Sequence, residues 1–363
     1  MTCKIGLIST IKQLEEIKND WVQFENIFLN DEYNYNIIYN WSCIFLNKEN
    51  ERFGYKKKLN IIILYQNNSI LSILPLINIK RRIKKFFTYT SLEFIGSQFG
   101  CNNLGPIGEI NNKNLDIILN WLNKNIQYDI INLGNQNKNN LSLYSLYSSY
   151  FYSIYPIINL KNFIDYNDYS KTKYNSNMRK NLKRRLKMLH NDDGELLIKK
   201  FQEISNKEFN EILKVSASKE TEGKHDHFKD KDILVYIKNI LSTTNHKIIL
   251  AKLNNEIIGY QIIYLYKKYK IYSGLSYNRL YKKYGIGNLL EDYDIQNTKF
   301  NEYDYINMGP GLEKYKTYFS TDYQKIYCVL IRGNTFFSKL FFYFTIKKFK
   351  KLERSIESII SIN

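Results

Sequence analysis

Residues 270–290 read K-I-Y-S-G-L-S-Y-N-R-L-Y-K-K-Y-G-I-G-N-L-L. The opening, 270–277, reads as a β-strand, and the closing positions start a helix predicted over 286–299. Between them lies Lys282-Lys283-Tyr284-Gly285-Ile286-Gly287, a K-x-x-G-x-G turn. Glycine at a strand-to-helix turn lets the backbone approach a phosphate closely. The free N–H groups of the first helical turn then point at the anion, and the helix dipole favours it. Lys282 adds a point charge. A plain tight turn would also use G-x-G. What raises the anion reading is position, because the turn follows a meander of three strands predicted over 247–253, 257–265 and 270–277.

The surrounding chain shows the same order of elements twice. In the second half a helix over 177–190, a strand over 196–201 and helices over 206–219 and 230–242 precede the meander. A strand over 303–308, a helix over 312–319 and a strand over 325–332 follow the glycine turn and its helix. In the first half, helices are predicted over 10–28 and 35–48, a hairpin over 59–65 and 70–79, and a strand over 88–95. A helix over 113–126, a strand over 128–133, a short helix over 141–150 and a strand over 154–160 complete it. Residues 128–134 read Y-D-I-I-N-L-G and residues 303–309 read Y-D-Y-I-N-M-G. A match at equivalent places points to a duplicated domain. The first-half counterpart of the glycine turn, Phe99 to Pro106, has no K-x-x-G-x-G before a helix.

These residues resemble the GNAT acyltransferase superfamily, whose pyrophosphate loop is Q/R-x-x-G-x-G/A. Lys282, Gly285 and Gly287 fall on that pattern, with Lys where the family has Gln or Arg. The chain further resembles the CelD-like branch, related to FemAB peptidyltransferases, in which two GNAT-like domains lie in tandem. S-N-M-R-K-N-L-K-R-R-L-K-M-L at 176–189, the segment 303–319, and L-P-L-I at 74–77 with L-E-F-I-G-S at 92–97 carry that likeness. The expected fold class is α/β (α+β), two tandem GNAT-like domains, each a mixed central sheet flanked by helices. Residues 1–162 would form a degenerate domain without a cofactor loop, 163–335 the acyl-CoA-binding domain, and 336–363 a basic amphipathic C-terminal helix.

The resemblance implies an N-acyltransferase that moves an acyl group, acetyl in the first instance, from acyl-CoA to an amine. The implied acceptor is a sugar or glycan precursor. Gly274, Leu275 and Ser276 of the fourth strand, with Lys282, Gly285, Ile286, Gly287 and Asn288, would bind acetyl-CoA. Tyr315 and Tyr318 are candidates for the acid that protonates the departing thiolate, and Glu313 for a base. Asp304 is read as structural, because its repeat mate Asp129 lies where no cofactor is expected. His225 and His227, in K-H-D-H, lack a third ligand at metal spacing. They read as a loop on the acceptor side, and no metal is expected.

Composition narrows the alternatives. Of 363 residues, 44% are hydrophobic and 24% charged, which excludes disordered, collagenous and coiled-coil classes. The net charge is +18. Such a charge suits nucleic acid or an anionic membrane. A codon bias towards Lys, Asn, Ile and Tyr explains it equally, and that reading is preferred, so a nucleic-acid partner is not expected. Two alternatives stand beside the acyl-CoA enzyme: a FemAB-like transferase using aminoacyl-tRNA, and a non-catalytic basic protein binding nucleic acid or a membrane surface. The four cysteines form no C-x-x-C pair, which suits a reducing, cytoplasmic setting. No signal peptide or spanning segment is read. In the tail, Phe336, Phe337, Leu340, Phe341 and Phe344 recur at helical spacing before Lys347, Lys348, Lys350 and Lys351. That pattern fits a helix packed on the second domain, the preferred reading, or a peripheral contact at the inner face of a membrane.

Overall fold

Two Asn-Asn turns set the register of two meanders. Asn67 and Asn68 have φ of 50° and 63°, and Asn254 and Asn255 repeat the same pair of values. Asparagine tolerates this left-handed backbone, and a two-residue turn of this kind matches the twist of the strands it joins. The computed structural model describes residues 3–27, 33–46, 56–83, 87–97, 104–108, 111–136, 147–218, 226, 228–229 and 231–360.

The chain runs β1 (Cys3–Ile8), α1 (Ile11–Glu16), α2 (Lys18–Ile27), α3 (Tyr35–Leu46), β2 (Lys56–Gln66), β3 (Ser69–Ile83), β4 (Phe87–Phe94), β5 (Ile107–Gly108), α4 (Asn112–Asn125), β6 (Ile130–Gln136) and β7 (Ser148–Asn159). It continues through α5 (Tyr166–Lys173), α6 (Ser176–Asn191), β8 (Gly194–Lys200), α7 (Asn206–Ala217), α8 (Lys231–Thr243), β9 (His246–Leu253), β10 (Glu256–Tyr266) and β11 (Tyr269–Tyr277). α9 (Ile286–Gln296), β12 (Tyr305–Asn307), α10 (Lys314–Phe319), β13 (Asp322–Arg332) and α11 (Ser338–Ile360) follow. The fold is mixed α/β, as expected.

The chain divides into two compact units, Met1–Ser153 with Lys325–Asn363, and Ile154–Gln324. In the first, β1, β2, β3 and β4 form an antiparallel meander, β6 joins β4 in parallel, and β13 joins β6 antiparallel. In the second, β8, β9, β10 and β11 form the meander, β12 joins β11 in parallel, and β7 joins β12 antiparallel. The parallel pairings share one register: Ser91, Leu92 and Glu93 face Ile130, Ile131 and Asn132, while Tyr269, Lys270 and Ile271 face Tyr305, Ile306 and Asn307. Asp129 N–H donates to the Thr90 carbonyl as Asp304 N–H donates to that of Lys268. The sequence repeat is therefore a repeat of backbone structure.

The sequence-based borders at 162 and 335 differ from these units for a topological reason. β7 belongs to the second unit from Ile154 on, where Ile157–Asn159 pairs with β12, and β13 belongs to the first from Lys325 on, where Tyr327–Arg332 pairs with β6. Each unit is completed by a strand that follows the other half in sequence. α11 lies in the first unit, not on the second as the core-packing reading had it: Phe341 stacks on Tyr89 with ring centroids 5.4 Å apart.

Alternation in the second meander splits its core. Ile249, Ala251 and Leu253 pack with α6 and α9 on one face, and Ile248 and Leu250 pack with α7 and α8 on the other. The helix expected over 10–28 is two helices, because Ile17 leaves helical geometry (φ −93°, ψ 3°). The helix expected over 141–150 falls outside the described residues up to 146, and Ser148–Tyr150 begin β7 instead. Aromatic residues there favour a strand.

Candidate functional site

The glycine turn is a short 3₁₀ turn, Arg279–Tyr284, opened by Asn278, whose side chain accepts from Leu280 N–H at 3.1 Å. Gly285 follows at φ 62°, ψ 42° and starts α9, with no side chain capping the helix. Its carbonyl accepts from Asn288 N–H at 3.0 Å. A helix end without a side-chain cap offers its first N–H groups, and the positive end of the dipole, to an anion. Arg185 of α6 lies across this turn: a Cβ added at Gly285 would stand 2.2 Å from its Nη1. The Arg185 Nε is buried without a hydrogen-bond partner. An uncapped helix start and an unpartnered guanidinium N–H form a donor set that fits a phosphate.

The remaining residues of the motif sort by exposure. Lys282 is exposed, and Lys283 pairs with Asp192 at 3.3 Å. Ile286 is fully buried in the core, so only its backbone can serve a ligand. Asn288 is half-buried. Gly287 has room for a Cβ, whose nearest neighbour would be Leu275 at 3.5 Å. Of the two glycines, Gly285 is the one that the backbone requires.

Beside this turn, β11 and β12 part. Their pairing ends at Ile271 and Asn307, after which Met308 N–H donates to Pro156. In β11 the register against β10 shifts between Tyr272 and Gly274, leaving Ser273 as an unpaired, exposed bulge. Gly309 (φ 76°) and Gly311 (φ 101°) turn the chain after β12, and a Cβ at Gly309 would stand 3.3 Å from the Tyr272 carbonyl. Gly274 and Leu275 are half-buried, while Ser276 is buried with its Oγ 3.4 Å from the Val215 carbonyl.

A buried polar group surrounds α9 and α10. Lys316 is buried, donates to the Pro310 carbonyl at 2.5 Å and pairs with Glu313 at 3.0 Å. Tyr315 is half-buried, and its phenol is pushed up first by burial and then by the charges of Glu291 and Glu313. It therefore stays protonated at neutral pH. Tyr318 is exposed. Glu291 is 1% exposed with Oε2 unpartnered, and burial pushes its carboxyl far above the usual range. Deeper in, Lys270 meets Asp294 at 2.6 Å and Thr298 at 2.5 Å, and the Tyr272 hydroxyl donates to Asp294 at 2.9 Å. Asp292 accepts from Tyr166 and Tyr174 at 2.9 and 2.8 Å, tying α9 to α5.

Sequence reading missed Lys316, Glu291 and the Lys270–Asp294 pair. The available signal was the i, i+3 spacing of Glu313 and Lys316 and the three carboxylates within 291–294. Asp304 pairs with Lys161 at 2.9 Å, and its mate Asp129 accepts from Thr90 N–H at 2.7 Å. Both are anchors. His225 and His227 lie outside the described residues, while Asp226 between them is buried and accepts from Ser216 at 2.7 Å. Among the described residues no cluster of three or more His, Cys, Asp or Glu could hold a metal.

Comparison with known proteins bears on residues 176–317, which match the acetyltransferase (GNAT) domain family. Solved structures of similar fold include FemX, at 10% identity and TM-score 0.57, covering 93% of this chain and 100% of that one. The C-terminal domain of a putative lysylphosphatidylglycerol synthetase from Agrobacterium fabrum gives 10% identity and TM-score 0.54 over 87% of this chain and 93% of that one. L-PGS from Bacillus licheniformis gives 12% and 0.52 over 86% and 96%. At such identities the likeness is one of fold. No curated protein matches the sequence.

Proposed function

We propose that the second unit, whose residues 176–317 match the acetyltransferase (GNAT) domain family in a chain similar in fold to FemX, transfers an acyl group from acyl-CoA to an amine. The observation that carries this is the start of α9: a left-handed Gly285, no side-chain cap, and Arg185 laid across the turn with Nε unpartnered. The backbone N–H groups of Ile286 and Gly287, with Arg185 and Lys282, would hold the pyrophosphate. Bound acyl-CoA supplies a thioester carbonyl open to attack by an amine. The parted backbone of β11 at Gly274, Leu275 and Ser276 would line the arm and offer N–H groups to the carbonyl oxygen. Tyr315, kept protonated, would donate a hydrogen bond to the sulfur as the C–S bond breaks and the C–N bond forms, and the proton lost by the amine would end on that sulfur to give the free thiol. Lys316, held by Glu313 and the Pro310 carbonyl, adds positive charge where negative charge develops. Glu313, already paired with Lys316, serves better as its anchor than as a base. The acceptor class, an amine on a sugar or glycan precursor, rests on the family resemblance.

A second reading, aminoacyl transfer from charged tRNA, draws on the exposed basic residues Lys180, Lys183, Arg184 and Lys187 of α6. One assay separates the two. With saturating acetyl-CoA and an amine library, thiol release is expected, with Tyr315→Phe lowering kcat at least tenfold and leaving CoA affinity unchanged. Transfer from charged tRNA without thiol release from acetyl-CoA would establish the second reading instead.

A further inference from the structure

Among the described residues, α11 meets the first unit through one side. Phe341 is buried against Tyr89, and Phe342 and Ile346 pack on Tyr150, Cys328 and Leu330. The opposite side carries Leu340 and Phe344, and Phe337, in the turn that leads into the helix, continues their line at the i, i+3, i+7 spacing; all three are exposed. Phe336, 92% exposed, and Tyr343 widen this patch. Five large apolar side chains in two turns are far from the scattered exposed residues of an ordinary surface.

The same stripe then changes character. Seven residues are close to two helical turns, so residues seven apart share a face. Lys347 stands seven after Leu340, Lys350 seven after Tyr343, and Lys351 seven after Phe344. Arg354 stands seven after Lys347, and all four cations are exposed. The outward face of α11 is thus aromatic for two turns and basic for the next two.

We propose that this face docks on an anionic lipid surface, with the aromatic turns at the boundary between headgroups and acyl chains and the basic turns on lipid phosphates. Aromatic and aliphatic side chains followed by lysines on one helix face match the two layers of such a surface. No described helix is long and apolar enough to cross a bilayer, so the contact is with its surface. The charge also argues against a second copy as the occupant. Symmetric pairing of this face would bring eight cations together in a chain whose net charge is already +18.

The test is co-sedimentation of the full chain with vesicles of phosphatidylcholine alone and of phosphatidylcholine with phosphatidylglycerol, at low and high salt. Binding is expected only with phosphatidylglycerol, weakening as salt rises. The triple variant Phe337→Ser, Leu340→Ser, Phe344→Ser should bind at least tenfold more weakly, as should Lys347→Glu with Lys351→Glu. All five positions are exposed, and unchanged thermal melts would show that the variants fold. Failure to bind anionic vesicles, or triple-variant binding equal to wild type, would overturn the proposal. So would a dimer in sedimentation velocity that the triple variant abolishes, which would assign the face to a second copy. Thiol release by the variants reads the catalytic unit separately.

Discussion

Helices α4 and α9 occupy the same step of one topology, each running from the fourth strand of a meander to the parallel strand beside it. α4 starts at Asn111, whose side chain accepts from Asn114 N–H at 2.9 Å and occupies the helix end. α9 starts at Gly285, with no side-chain cap and with a guanidinium laid against it. One step deeper, the strand position facing Ile131 in the first unit is the buried Leu92, and the position facing Ile306 in the second is Lys270, paired with Asp294. The first unit closes its helix with its own side chain and puts a leucine at this step, its own buried carboxylate, Glu93 paired with Arg81 at 2.9 Å, standing one residue further along the strand. The second leaves its helix end without a side-chain cap and puts the buried Lys270–Asp294 pair at this step. The two copies of one fold thus differ by a capping side chain against a left-handed glycine and by a leucine against a buried, paired lysine.

The largest effect should come from the buried pair. Asp294→Ala leaves Lys270 unpaired in the core and removes the acceptor for the Tyr272 hydroxyl. The expected loss is about 3–5 kcal/mol, read in urea unfolding. Burial already pulls the Lys270 ammonium below its usual value, with Asp294 as the opposing influence. A loss under 1 kcal/mol would remove this difference between the units.

Acid should distinguish the second unit further. His246 is buried, stacked on Tyr264 with ring centroids 4.8 Å apart, and burial pulls its imidazole down to about 4. The unfolded chain takes up the proton near pH 6.5, while the folded one stays neutral until about pH 4. Stability is therefore full above pH 6.5 and falls by about 3 kcal/mol between pH 6.5 and 4. His246→Gln should flatten that slope in pH-dependent melts. An unchanged slope would mean that other groups carry it.

The smallest effect belongs to the first unit's cap. Asn111→Ala should cost about 1 kcal/mol in thermal unfolding. It should not create a second CoA site, because uncapping α4 supplies neither the left-handed glycine nor an arginine across the turn.

The sequence made much of this visible, and unevenly. The meander of β9, β10 and β11 and the Y-D-x-I-N-x-G repeat were legible because strand alternation, Asn-Asn turns and a shared register are local signals. The glycine turn was legible for the same reason, although only the backbone showed that Gly285 carries the left-handed angle while Gly287 is an ordinary helical residue. The exchange of β7 and β13 was not legible, since no local pattern tells a strand which sheet will complete it. Cys3–Ile8, which pairs with β2, passed unread because six mixed residues carry no clear period. Lys316 and Glu291 were hidden by their type: charged residues are read as solvent-facing, and their burial comes from tertiary packing that no local pattern announces.

Equilibrium dialysis of CoA against the full chain asks whether one unit of the two binds the acyl donor. Asparagine tolerates left-handed backbone, so Gly285→Asn should fold while setting a side chain against Arg185. One CoA per wild-type chain is expected, with binding at least tenfold weaker in Gly285→Asn, about 1.4 kcal/mol. Two CoA per chain, or an unchanged affinity in the folded variant, would contradict it.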